Sequence, residues 1–229
     1  MKWFKGSLLV LGMTVSINAS AAPVTLFGDD ISFTFNDASL FGPGTVVGNS
    51  LFFMPSNFKA ESLNGAGVVS ASETLIIDVA VTTEGYDISS LGMFEEGDYI
   101  TNGVDASVSA SGRLGVTSTT TMCGLFPCGD ASIFNVAGLG DTGGSTVDWS
   151  AGTSVDLADT AGWGTDTALQ ISFQNNLSAT TLNNGEQAMI QKKQGAIGLA
   201  VNPIPVPAAV WLFGSGLIGL AAVARRKQS

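Results

Sequence analysis

The sequence predicts an all-β chain: an antiparallel β-sandwich or jelly-roll-like domain over residues 22–202, followed by one C-terminal transmembrane helix. Three observations predict it. Through the middle of the chain the apolar residues alternate with polar ones instead of recurring every third or fourth position, which is the pattern of half-buried strands. Turn-forming residues return about every ten positions, the spacing of successive hairpins. The uncharged apolar run from Ala208 to Ala224 has no such alternation and suits a helix.

Taken in order, Ile31-Ser32-Phe33-Thr34-Phe35 is a period-two strand, and Thr45 to Phe53 is a second. Val68 to Thr83, with Leu75, Ile77, Val79 and Val81 on one face, is expected to be the longest strand and a central one. Turns are expected at Glu84-Gly85, Asn102-Gly103, Ser111-Gly112, Gly143-Gly144 and Asn183-Asn184-Gly185, where glycine and asparagine accept the backbone angles that tight turns need. Packing two such sheets face to face protects their edges. No charge run or proline-rich linker divides residues 22–202, so one domain is expected.

The two ends read as addresses. Residues 1–21 have the three parts of a secretory signal peptide: Lys2 and Lys5, the apolar stretch Leu8 to Ile17, and small residues at Ala19 and Ala21. Such a segment implies Sec-type export and removal by signal peptidase. At the other end, Pro203, Pro205 and Pro207 fix φ and lack N–H donors, so the lead-in is extended and belongs to neither a helix nor a central strand. The 17 residues from 208 to 224 carry no charge. As a helix they measure roughly 25 Å, the short end of what crosses a bilayer. Arg225, Arg226 and Lys227 follow as a basic stop that stays on the cytoplasmic side, which leaves the rest of the chain outside.

This tail resembles the PEP-CTERM sorting signal of Gram-negative bacteria, in its Val-Pro-x-Pro-Ala form. The residues that carry the resemblance are Pro205-Val206-Pro207-Ala208, then Trp211-Leu212, Gly214-Ser215-Gly216-Leu217 and Ala224-Arg225-Arg226-Lys227, with Val206 where the signature has Glu. The resemblance implies recognition by an exosortase, a membrane enzyme that removes such tails and passes the protein to the cell surface or the exopolysaccharide matrix. Gly92 to Tyr99 with Val104 to Leu114, and Asn176 to Thr180 leading to Ala188 to Lys193, is similar to a β-sandwich ectodomain found ahead of such tails. That likeness implies architecture and no activity.

Charge and chemistry narrow the function. The chain has 19 acidic residues, all within 22–202, where only Lys59, Arg113, Lys192 and Lys193 oppose them, a formal charge of −15. Such a surface repels nucleic acid and favours cations. No organic cofactor is expected; calcium is the ion that carboxylates and carbonyls would suit, with Glu95, Glu96 and Asp98 as the densest acidic cluster and Asp29-Asp30 as a lesser one. Within that cluster, Glu95 and Glu96 should diverge to opposite faces and Gly97-Asp98 should form a hairpin turn. The chain has no histidine, which removes Ser-His-Asp and histidine-based zinc chemistry. Cys123 and Cys128, the only cysteines, are expected to form a local disulfide at a loop tip in an oxidising compartment. Trp149, Trp163, Phe52, Phe53, Phe58 and Phe126 are either core or stacking platforms for sugar rings, with Trp163 the most exposed candidate.

The expected protein is therefore non-catalytic: exported, held in the inner membrane as a single-pass precursor, then displayed at the surface in association with exopolysaccharide. The alternatives are a carbohydrate-active enzyme using paired acids and a permanently anchored surface protein.

Overall fold

The computed structural model describes residues 22–36, 40–136 and 139–206. The expected signal segment 1–21 and everything from Pro207 onward, including Ala208, the expected helix 208–224 and the expected stop Arg225-Arg226-Lys227, lie outside the described residues. No helix among the described residues is long and apolar enough to cross a membrane.

Twelve strands follow in chain order: β1 (Pro23–Phe27), β2 (Ile31–Asn36), β3 (Gly44–Val47), β4 (Ser50–Phe53), β5 (Lys59–Leu63), β6 (Gly67–Val81), β7 (Tyr86–Asn102), β8 (Ser107–Cys123), β9 (Phe126–Val136), β10 (Val147–Asp156), β11 (Ala168–Thr181) and β12 (Gln187–Pro205). Among the described residues the one helical turn is a 3-10 turn at Leu157–Asp159. Two antiparallel sheets result. One has the order β1-β2-β6-β11-β8-β9; the other runs β10-β7-β12-β4-β3, with β5 also paired to β12.

The alternation that predicts strands also decides which face is buried. Leu75, Ile77 and Val79 of β6, Ile171, Phe173 and Leu177 of β11, and Leu114 and Val116 of β8 point inward from the first sheet. Leu91 and Met93 of β7, Ile190, Ile197 and Leu199 of β12, and Leu51 and Phe53 of β4 point inward from the second, and all belong to one core. Aromatic rings join the layers. Phe53 and Phe173 lie 6.1 Å apart across the sheets, and Phe41 sits 5.5 Å from each of them and from Phe58. Truncating a ring such as Phe173, fully buried, to alanine would cost about 3–5 kcal/mol.

Three expectations are corrected. Thr45 to Phe53 is not one strand but the hairpin β3–β4, which reverses at Gly48-Asn49 because Gly48 takes φ 59°. Ser111-Gly112 is no turn: it lies inside β8, and a Cβ on Gly112 would come within 2.3 Å of Phe134 and 2.5 Å of Met93, so the glycine marks a close approach. β6 is interior to its sheet, as expected, but β12 with 19 residues and β7 and β8 with 17 are longer than its 15. Strand pairing continues past residue 202. Pro203, Ile204 and Pro205 pair with Ile88, Asp87 and Tyr86, and the Val206 amide donates to the Gly85 carbonyl at 2.7 Å. Proline is tolerated there because β4 pairs only with Ile197–Ala200, so the end of β12 has β7 as its neighbour on one side alone.

Candidate functional site

The most unusual chemistry in the molecule is inside the core, where the inward registers of β7, β11 and β12 bring a carboxylate, a carboxamide and an ammonium together. On β7 the buried positions Leu91 and Met93 are followed by Glu95; on β11 Ile171 and Phe173 are followed by Asn175; on β12 Ala188 and Ile190 are followed by Lys192. Period-two alternation sends all three into the same interior. Glu95 and Lys192 have side chains with no solvent exposure, and Asn175 is fully buried. Lys192 Nζ donates to Glu95 Oε2 and to Asn175 Oδ1.

The local backbone is irregular where these residues meet. Lys192 is opposite Gly97 but Ile197 is opposite Glu95, so β12 carries a bulge between them. The Lys192 amide donates to the Phe58 carbonyl at 3.0 Å, which holds the Phe58 ring 5.4 Å from Nζ. The Trp149 ring also lies 5.3 Å from Nζ. Trp149 is paired with Gly97, and a Cβ on Gly97 would come within 2.5 Å of the indole Nε1 and 2.1 Å of the Gln191 carbonyl oxygen. Only glycine lets the indole close over the lysine.

Burial sets the electrostatics. Desolvation pushes the Glu95 carboxyl above its ordinary range, against the pull of the Lys192 charge, and pushes the Lys192 ammonium below its own, against the pull of Glu95. Both shifts favour the neutral pair, an amine beside a carboxylic acid. Asn175 faces the carboxyl closely enough to oppose its shift, yet neither Glu95 Oε1 nor Asn175 Nδ2 completes a hydrogen bond of good geometry. With Trp149 Nε1, these are the buried side-chain polar atoms without a partner among the described residues. They surround one lysine.

The acidic cluster is not assembled as an ion site. Glu95 and Glu96 do diverge, but Gly97-Asp98 lies within β7 and forms no turn, because β10 and β12 pair with it on either side. Glu95 enters the core, Glu96 is exposed, and Asp98 accepts from Gln191 Nε2 at 2.9 Å on the opposite face from Glu95. Asp30 is engaged by Asn49 Nδ2 at 3.1 Å. No group of three or more metal-ligating side chains occurs among the described residues.

Cys123 and Cys128 are disulfide-bonded at the tip of the β8–β9 hairpin. Of the residues expected to form a sorting motif, Pro205 and Val206 fall in the described part: Pro205 ends β12 and Val206 follows it. Among the aromatics, Trp149, Phe53 and Phe58 are core residues, and Trp163 is half-buried, its Nε1 donating to Asp166 Oδ2 at 2.9 Å. Of those candidate rings Phe126, 75% exposed at the hairpin tip, is the most exposed, in place of the expected Trp163.

Sequence reasoning named Glu95 but missed its partners. Asn175 and Lys192 were legible as polar interruptions of the apolar registers Ile171-Phe173-Leu177 and Ala188-Ile190; what the alternation could not give is that the two registers face one another. No protein-family model matches the chain, and no curated protein matches it.

Proposed function

We propose that the chain is a non-catalytic, exported surface or extracellular-matrix protein, delivered through an exosortase-type system and associated with exopolysaccharide. The observation that carries this reading is the order in the sequence: a proline-marked motif Pro205-Val206-Pro207-Ala208, an uncharged run from 208 to 224, and the cations Arg225, Arg226 and Lys227. The reading takes the domain as a two-layer β-sandwich held at the membrane by that one helix until processing. The described strands support it in one respect. Pairing runs to Pro205 and Val206, so the motif leaves the edge of a folded sheet with no intervening linker, and a membrane enzyme would meet it beside the bilayer.

The acids of the Glu95-Glu96 cluster point to opposite faces of β7 and Glu95 is buried, so that cluster does not make a glycosidase pair. The test is peptide mapping of protein recovered from the surface of the producing cell. Processing is expected to leave no peptide from Trp211 to Lys227. Recovery of that segment intact in the surface protein overturns sorting in favour of a permanent anchor, and loss of surface display without an exosortase gene is the expected genetic counterpart.

A further inference from the structure

We propose that Lys192 and Asn175 become joined by an intramolecular amide bond, with Glu95 as the proton shuttle, so that the two sheets are covalently linked through the core. Three arguments carry this, none of which depends on the sorting reading.

The first is position. Lys192 Nζ contacts Asn175 Oδ1, one bond away from the electrophilic Cγ, and the same nitrogen contacts Glu95 Oε2. Nucleophile, electrophile and acid–base group are therefore held in one enclosure, the arrangement that turns a bimolecular step into an intramolecular one. The second is the enclosure itself. Phe58 and Trp149 wall off Nζ and water is excluded, so the amine is not held as a hydrated ammonium and a neutral Lys192 is available as a nucleophile at ordinary pH. The third is the orphaned atoms. A buried donor without a partner is costly, and Asn175 Nδ2 is such a donor; it is also the atom that departs. As a plain ion pair the cluster is a poor stabilising device, because desolvation offsets most of its attraction.

The chemistry balances without any other reactant. The Lys192 ammonium passes a proton to Glu95 Oε2, giving amine and carboxylic acid. The amine lone pair attacks Asn175 Cγ and forms the Nζ–Cγ bond while the Glu95 hydroxyl donates to Oδ1. A further Nζ proton is carried by the Glu95 carboxyl to Nδ2, the Cγ–Nδ2 bond breaks, and ammonia leaves. A secondary amide remains. A hollow lined by Glu96, Gly97, Asp148, Trp149, Ser150 and Lys193 borders the same Trp149 whose ring lies 5.3 Å from Nζ, and in the proposed step it is the way out for the ammonia.

The experiment is a peptide map of the folded wild-type protein, denatured and reduced, then cut by a glutamate-specific protease. Cleavage after Glu186 falls between residues 175 and 192. The expected result is that the Asn175 and Lys192 fragments stay joined, with their combined mass lowered by one ammonia, about 17 Da. A cyclised asparagine would lose the same mass but would not join the fragments. Separate fragments with unmodified Lys192 and Asn175 overturn the proposal, and this readout needs no variant to fold. In Asn175→Ala the fragments are expected to separate. In Glu95→Gln the joined fraction is expected to fall by at least tenfold after the same time, the usual scale for losing a positioned acid–base group; linkage undiminished in that variant overturns the role given to Glu95 and with it the step as written.

Discussion

At the scale of single residues, the molecule separates two uses of a buried carboxylate. Glu95 is pushed towards neutrality by desolvation, whereas Glu186 is held ionised by donors. The Asp105 amide reaches its Oε1 at 3.0 Å, the Asn183 and Leu182 amides reach Oε2 at 2.8 and 2.9 Å, and Asn183 Nδ2 adds a fourth contact at 3.2 Å. Those amides lower its pKa from an ordinary 4.5 to about 2. Because the folded value lies below the unfolded one, the stabilisation is complete above pH 4.5 and is lost as the pH falls towards 2. Replacing Glu186 by Gln removes the charge but keeps the shape. Urea unfolding of both proteins at several pH values should therefore give a stability difference that is constant near neutrality and shrinks between pH 4.5 and 2. A difference that stays constant throughout would mean that the carboxylate is not held ionised by this clasp.

At the scale of elements, Glu186 closes the end where the β7–β8 and β11–β12 turns converge, and its carbonyl accepts from the Asn64 amide of the β5–β6 turn at 2.9 Å. The opposite kind of control operates on β7, where Gly97 admits the Trp149 indole. Gly97→Ala would drive a methyl group into that ring and into the Gln191 carbonyl, so about 1–3 kcal/mol of destabilisation is expected, with a shift of tryptophan emission to longer wavelength as the indole is displaced. Unchanged emission and stability would show that the strand yields at no cost. Strands were the legible part of the sequence because alternation is a local signal. β2, the inward face of β6 and the turns at Glu84-Gly85 and Asn183-Asn184-Gly185 all follow from it. Glycine was the ambiguous letter. At Gly48 it makes a turn, but at Gly97 and Gly112 it makes room for a neighbouring side chain, and the neighbours are brought there by strands distant in sequence. The same limit hid the Glu95–Asn175–Lys192 cluster, since pairing β7 to β12 and stacking β11 across from them are long-range choices that no window of sequence contains.

At the scale of the whole molecule, residues 22–202 combine a formal charge of −15 with one continuous hydrophobic core. Self-repulsion of such a surface opposes compactness, and salt relieves it; the screening length is about 10 Å at 0.1 M and about 3 Å at 1 M. The urea midpoint is therefore expected to rise with sodium chloride. The identity of the counter-ion separates screening from binding. Among the described residues no group of three acidic side chains is placed to hold a metal ion, and Glu96, Asp98 and Asp148 face the Lys193 ammonium instead. Calcium and magnesium at equal ionic strength should then raise the midpoint equally, because a diffuse charge distinguishes only valence. A shift specific to calcium, saturating in the micromolar to millimolar range of carboxylate sites, would place an ion site in the chain and restore the cation-binding reading of its acidity.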